Sequence, residues 1–190
     1  MHDKFIKHYG VVGMHWGIRR YQNEDGSLTP AGRVHYGVGI KEYSRNADKA
    51  NDIYKTLSKK EKYYLTGNAY KGKLNFDKEY EKQVDYDSAV YSLILEMQDI
   101  PVSVFDVYGN GDKGYIAVAV RNDKQYRGAG LAKESTKRAL DWFENNSDIM
   151  ELNWATFAEN YASQKLAEEM GFELNKKESD DKVFIYSKYK

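Results

Sequence analysis

Cysteine is absent from the 190 residues, which excludes disulfides, thiol nucleophiles and thiolate metal sites. That absence suits a reducing compartment, and a cytoplasmic location is the expectation. Net charge is absent as well. The 29 lysines and arginines balance 29 aspartates and glutamates, so no global field draws the chain to nucleic acid or to a membrane surface. A basic platform interleaved with aromatics, which nucleic-acid binding would need, is missing too. No apolar run exceeds strand length, so no segment is long enough to cross a bilayer as a helix. The opening MHDKFIKHYG lacks the uninterrupted apolar stretch of a secretion signal. His2, His8, His15 and His35 are irregularly spaced, with no cysteine or carboxylate cluster beside them; they read as solvated side chains, and no metal is expected. Internal repeats and low-complexity tracts are also lacking.

What is present suffices for one sizeable core, or a core with an appendage. The chain is organised around Gln125-Tyr126-Arg127-Gly128-Ala129-Gly130-Leu131-Ala132. Before it, Gly114 to Val120 is β-branched and apolar and reads as a buried strand. After it, Leu131, Ser135, Ala139, Trp142 and Phe143 fall on one helical stripe within Leu131 to Asn145. The order is strand, glycine loop, helix. Glycine at 128 and 130 lets the backbone approach a ligand and take angles that a side chain forbids. The first-turn N–H groups of the helix then point into the loop, where the dipole favours an anion such as a phosphate or pyrophosphate.

A second motif follows the strand-like Met150 to Phe157: Asn160-Tyr161-Ala162-Ser163, running on to Gly171-Phe172. Gln125-x-x-Gly128-x-Gly130 resembles the coenzyme A pyrophosphate signature of the GNAT N-acetyltransferases. Asn160-x-x-Ser163 with Gly171-Phe172 resembles that family's second signature helix, the ribosomal-protein-type branch being the nearest in character. The resemblance spans about Ser58 to Lys190, with both motifs in order. It implies an acyltransferase of α/β (α+β) class, with a mixed, mainly antiparallel central sheet flanked by helices. It also implies acetyl-CoA as co-substrate and an amine, on a protein or a small molecule, as acceptor.

Residues 1–39 lie outside that resemblance and form an N-terminal extension. Its phrase GVVGMHWGIRR…DGSLTPAGR resembles a recurrent tag of proteins encoded by bacteriophages and prophages. The extension reads either as a docking tag for a protein partner, with Trp16, Arg19 and Arg20 as contact residues, or as a leader folded back on the core. Asp25-Gly26 signals a turn, and Thr29-Pro30 an N-cap followed by proline at the first helical position. Ile40 to Leu57 has helical spacing and predicts a linker helix. Ser58-x-x-Glu61 is a capping box opening a helix to about Thr66; Phe76 to Asp85 predicts another short helix. These two segments are the expected cover of the acceptor site, and no first strand is placed before them. Ala89 to Met97, Pro101 to Tyr108 and Gly114 to Val120 predict three successive antiparallel strands. Lys182 to Tyr189 predicts the last strand, paired with Phe172 to Lys176.

Acetyl transfer requires that the donor be held, the amine deprotonated and an oxyanion stabilised. By resemblance, Val120 and the loop residues Gln125, Tyr126, Arg127, Gly128, Ala129, Gly130, Leu131 and Ala132 hold coenzyme A, with Arg127 adding a charge-assisted phosphate contact. Asn160 and Ser163 share a helical face and can bond the pantetheine arm or the acetyl end; Asn160 can equally cap its helix. A backbone amide near Val120 or Arg121 is the implied oxyanion donor. The strand before the loop carries no carboxylate, only Tyr115, Ala117 and Ala119 on one face. The tyrosine that many members place five residues before the terminal phenylalanine is Ala167 here. Glu96, Asp106, Asn153 and Glu159 are possible bases, and Tyr161 and Tyr126 possible acids; Glu96 and Tyr161 are the expected pair. The alternative is a catalytically inactive binding protein on the same scaffold.

Overall fold

Strand and helix alternate around one sheet in the structure, a computed structural model that describes residues 20–44, 46–67 and 89–190. The elements are α1 (Pro30–Tyr36), β1 (Ile40–Ser44), α2 (Ala47–Thr56), α3 (Lys59–Gly67), β2 (Ala89–Met97), β3 (Ile100–Asn110) and β4 (Lys113–Val120). They continue with α4 (Leu131–Asn146), β5 (Glu151–Phe157), α5 (Tyr161–Glu169), β6 (Glu173–Leu174) and β7 (Val183–Tyr189). The sheet order is β1-β2-β3-β4-β5-β7-β6. Among the described residues every pairing is antiparallel except β4 with β5.

Alternation along β2 sends Leu93, Leu95 and Met97 to one face and Ser92, Ile94 and Glu96 to the other. The first face meets α4. Its stripe of Leu131, Ala139 and Phe143 packs with Phe105, Val107, Ile116 and Trp154 in the main core, each large side chain contributing about 1.5–3 kcal/mol by burial. Ser135 on that stripe takes a hydrogen bond from Ser103 of β3 and itself donates to the Leu131 carbonyl at 2.9 Å, so both buried hydroxyls are satisfied. The second face meets α2, whose Ala50, Ile53 and Tyr54 cover Ile94, Val104 and Ala119.

The region from 40 to 57 departs from the expected linker helix. Ile40–Ser44 is an edge strand paired with Ser44↔Leu93 through Ile40↔Met97, and only Ala47–Thr56 is helical. Asn46 ends the strand and caps the helix, its side chain accepting from the Lys49 amide at 3.0 Å. The missing first strand is therefore Ile40–Ser44, and α2 with α3 are the paired helices that follow it. The predicted helix Phe76 to Asp85 lies outside the described residues.

The capping box is formed. The Ser58 amide donates to Glu61 Oε2 at 2.8 Å, and the Glu61 amide to Ser58 Oγ at 3.3 Å. Thr29 caps α1, accepting from the Gly32 amide at 3.1 Å. In the extension, residues 20–39 fold back on the core: Ala31 and Val34 of α1 lean on the main cluster. His35 stacks on Tyr21, with ring centroids 4.4 Å apart. His2, His8 and His15, like Trp16 and Arg19, lie outside the described residues.

Candidate functional site

β4 and β5 run parallel but pair only at Lys113↔Glu151, Gly114↔Leu152 and Tyr115↔Asn153. Past Tyr115 the two strands have no ladder, so the sheet opens into a gap between Ile116–Val120 and Trp154–Phe157. The Arg121 amide donates to the Val102 carbonyl at 2.9 Å. That bond fixes the phase of the β3–β4 ladder: 121, 119 and 117 address β3, and 120 and 118 address the opposite side. Backbone groups of Val118 and Val120 therefore face the gap. Of the two positions expected to offer an oxyanion donor, Arg121 is already engaged and Val120 is aimed correctly.

The loop from Gln125 has an inside and an outside. Tyr126, Ala129 and Leu131 are buried in the main core at 4%, 6% and 1% exposure, so their side chains anchor the loop and only their backbone can meet a ligand. Tyr126 is thereby removed as an acid. Gln125, Arg127, Gly128 and Gly130 are exposed. Gly128 and Gly130 have φ of 69° and 84°, and a Cβ built on Gly128 meets nothing within 4 Å. Gly130 is the N-cap of α4 and supplies no side-chain cap. The first-turn amides of Leu131, Ala132 and Lys133 are therefore left without a side-chain cap, which suits a diphosphate at a helix N-terminus.

Arg127 is differently placed from the expectation. Its guanidinium bonds Glu61 Oε1 at 2.6 Å and also the Asn122 side chain. It ties the loop to α3, and a phosphate would compete with that carboxylate for it. Asn160 acts as the cap of α5, accepting from the Ser163 amide at 3.4 Å, while its side-chain N–H groups take no part in the cap. Ser163 Oγ accepts from Trp154 Nε1 at 2.9 Å, leaving its own proton to donate.

The expected catalytic pair does not assemble. Glu96 is buried, hydrogen-bonded by Lys49 and by Tyr43 Oη (2.9 Å), with Lys41 Nζ at 3.8 Å. The Lys49 hydrogen bond, with help from Tyr43, holds its carboxyl below the usual glutamate range. That is an anchor joining β1, β2 and α2, not a free proton acceptor. Tyr161 is 75% exposed at the start of α5. Ala167, where a family tyrosine is expected, is fully buried. Asn153 Oδ1 accepts from Ser187 Oγ at 2.6 Å; Glu159 is exposed.

Asp106 differs from all of these. It is fully buried on β3, facing α2. Tyr54 Oη donates to its Oδ2 at 3.2 Å, and its Oδ1 completes no hydrogen bond among the described residues. Burial pushes its carboxyl up to about 7, against the pull of Ser92 and Tyr108. Across the gap on the same side, α3 lies over β4 and β5, with Tyr64 against Phe157 at 5.6 Å between ring centroids.

A family model for the acetyltransferase (GNAT) domain matches residues 44–173. The chain belongs to the GNAT acetyltransferase family. As a GNAT protein it is an acyltransferase, and its fold recurs in solved structures at low identity. PaiA N-acetyltransferase from Thermoplasma acidophilum, solved with coenzyme A, matches at TM-score 0.60 and 11% identity, over 80% of this chain and 99% of that one. Spermidine N-acetyltransferase from Vibrio cholerae, solved with CoA and spermine, matches at 0.56 and 14%, over 80% and 95%. The Salmonella typhimurium acetyltransferase that modifies the N-terminal serine of ribosomal protein L7/L12 matches at 0.56 and 11%, over 80% and 96%. Likenesses at this identity speak for the fold alone. No curated protein matches the chain in sequence. The GNAT match begins at residue 44, inside β1, earlier than the Ser58 boundary of the sequence resemblance.

Proposed function

We propose that this GNAT protein is an acetyl-CoA-dependent N-acetyltransferase acting on a primary amine. The observation that carries it is the combination of an open β4–β5 gap with an uncapped α4 beside it. The diphosphate of acetyl-CoA is assigned to the amides from Gly128 to Ala132, with Gln125 and Arg127 at the rim. The pantetheine arm is assigned to the gap, bonded by the backbone of Val118 and Val120 and by Asn160 and Ser163. The Val120 amide is the oxyanion donor of this reading. Donor and acceptor then approach from opposite faces of the sheet, the acceptor beneath α2 and α3.

The acceptor belongs to the class of amines, among which the neighbours' own substrates, a polyamine and a protein N-terminus, are the first to try. Residues 1–39 are proposed as a docking segment for a protein partner on the strength of their sequence resemblance, and a bacteriophage origin rests on the same ground. Calorimetry with acetyl-CoA tests the central assignment. Saturable binding is expected; absence of binding at millimolar ligand would remove the enzymatic reading.

A further inference from the structure

We propose that Asp106 is the proton acceptor for the amine substrate, its free carboxylate oxygen receiving the ammonium group beside the opening of the sheet. This rests on the N-acetyltransferase reading and adds the residue that the usual family pattern leaves unfilled, since β4 offers Lys113, Tyr115, Ala117 and Ala119 on this face and no carboxylate.

Three observations converge on the site. Asp106 Oδ1 is buried without a hydrogen-bond partner, and so is the hydroxyl of Ser92. The two residues are direct cross-strand partners, so the Ser92 hydroxyl lies near enough to draw the carboxyl down without completing a hydrogen bond to Oδ1. Leaving each unsatisfied costs about 1–3 kcal/mol, and an ammonium group, with three donors, would satisfy both. On its other side the buried Asp106 pairs with Ala117 of β4, a partly exposed residue that offers only a methyl group beside it. Adjacent strands lie about 4.8 Å apart, so Asp106 stands one strand spacing from the open edge where Val118 and Val120 present their amides. Tyr54 holds Oδ2 and thereby aims the remaining oxygen.

Among the described residues no cation forms an ion pair with the carboxylate. Tyr54 of α2 and Tyr108 of its own strand are the titratable groups facing it, with Tyr115 next along on β4. Among the described residues the ion pairs of this face are Glu96 with Lys49 and Lys41 at one end, Lys113 with Glu151 at the other, and Arg121 with Asp52 of α2. Burial raises the carboxyl to about 7, and a base works best when it titrates near the working pH.

The chemistry balances. The substrate ammonium gives one proton to Asp106 Oδ1, and its freed lone pair forms the C–N bond to the thioester carbon. The C–S bond breaks, its electron pair leaves on sulfur, and the remaining surplus N–H proton neutralises the thiolate. Asp106 returns its proton to solvent. Ammonium plus thioester has become amide, thiol and one proton.

The test compares wild type with Asp106→Asn and Asp106→Glu. Acetyl-CoA calorimetry comes first: equal affinity in wild type and Asp106→Asn is expected, and a wild type that does not bind overturns the N-acetyltransferase reading rather than the role of Asp106. Aspartate-selective ¹³C NMR then follows the side-chain carboxyl that disappears in Asp106→Asn. It is expected to titrate near neutrality and to shift saturably with added ethylammonium; indifference to ethylammonium overturns the proposal. With spermidine and N-terminal serine or alanine peptides as amines, Asp106→Asn is expected to lower kcat/KM about 100-fold and to erase its basic-side rise with pH, while Asp106→Glu recovers part. Asp106→Asn within about threefold of wild type, well short of that general-base contribution, overturns it. If none of these amines is acetylated, the ethylammonium titration decides.

Discussion

Glu96 and Asp106 share one face of the sheet and have opposite electrostatics. Glu96 is paired with Lys49, and its carboxyl lies below the ordinary value; Asp106 is buried with no ion pair among the described residues, and its carboxyl is raised to about 7. A depressed carboxyl adds stability above its unfolded value and loses it as pH falls. Glu96→Gln is therefore expected to cost about 1–3 kcal/mol at neutral pH, measured by urea unfolding, and to leave the pH profile of acetyl transfer in place. A raised carboxyl works the other way: the native state binds the extra proton, so stability declines as pH rises from about 4 to 7. Melting temperature against pH should show that decline in wild type and a flatter curve in Asp106→Asn. Sequence could not separate the two carboxylates, because each lies in an apolar strand with the same alternation. Their difference is set by Lys49, Tyr43 and Tyr54, which lie 47 to 53 residues away in the chain.

At the scale of the element, the glycine loop and α4 were legible because every feature is local: phase-matched apolar residues, two glycines and a strand immediately before. α4 runs Leu131–Asn146, and its expected stripe is the one that is buried. β1 was not legible. Ile40, Tyr43, Ala47 and Ala50 fall at helical spacing by coincidence of a short edge strand and the helix after it, and what makes Ile40–Ser44 a strand is its partner β2, 49 to 57 residues further along the chain. The ion pair of Arg127 with Glu61 is equally remote, which is why the loop arginine read as a phosphate ligand. Gly128→Glu places a side chain in open space at the loop, with φ of 69°. It is expected to cost about 1 kcal/mol in stability from left-handed backbone while abolishing acetyl-CoA binding in calorimetry. Unchanged affinity would move the site elsewhere.

At the scale of the whole molecule, seven strands with a single parallel junction put the gap between β4 and β5, and both faces of the sheet are layered around it. The described part of the N-terminal extension belongs to that body. A Cβ on Gly32 would lie 2.1 Å from the Tyr21 carbonyl oxygen, so α1 and the turn before it are tightly packed. Gly32→Ala is expected to destabilise the protein by about 1–3 kcal/mol, as overpacking does, read from thermal or urea unfolding; a neutral effect would mean that residues 20–39 are not fixed to the core.

Amide chemical-shift mapping with acetyl-CoA tests the ligand assignment most directly. Saturable shifts below about 1 mM ligand, a usual substrate range, are expected at Gly128 to Ala132 and at Val118 and Val120. Shifts confined to other parts of the sheet, or none at all, would contradict it.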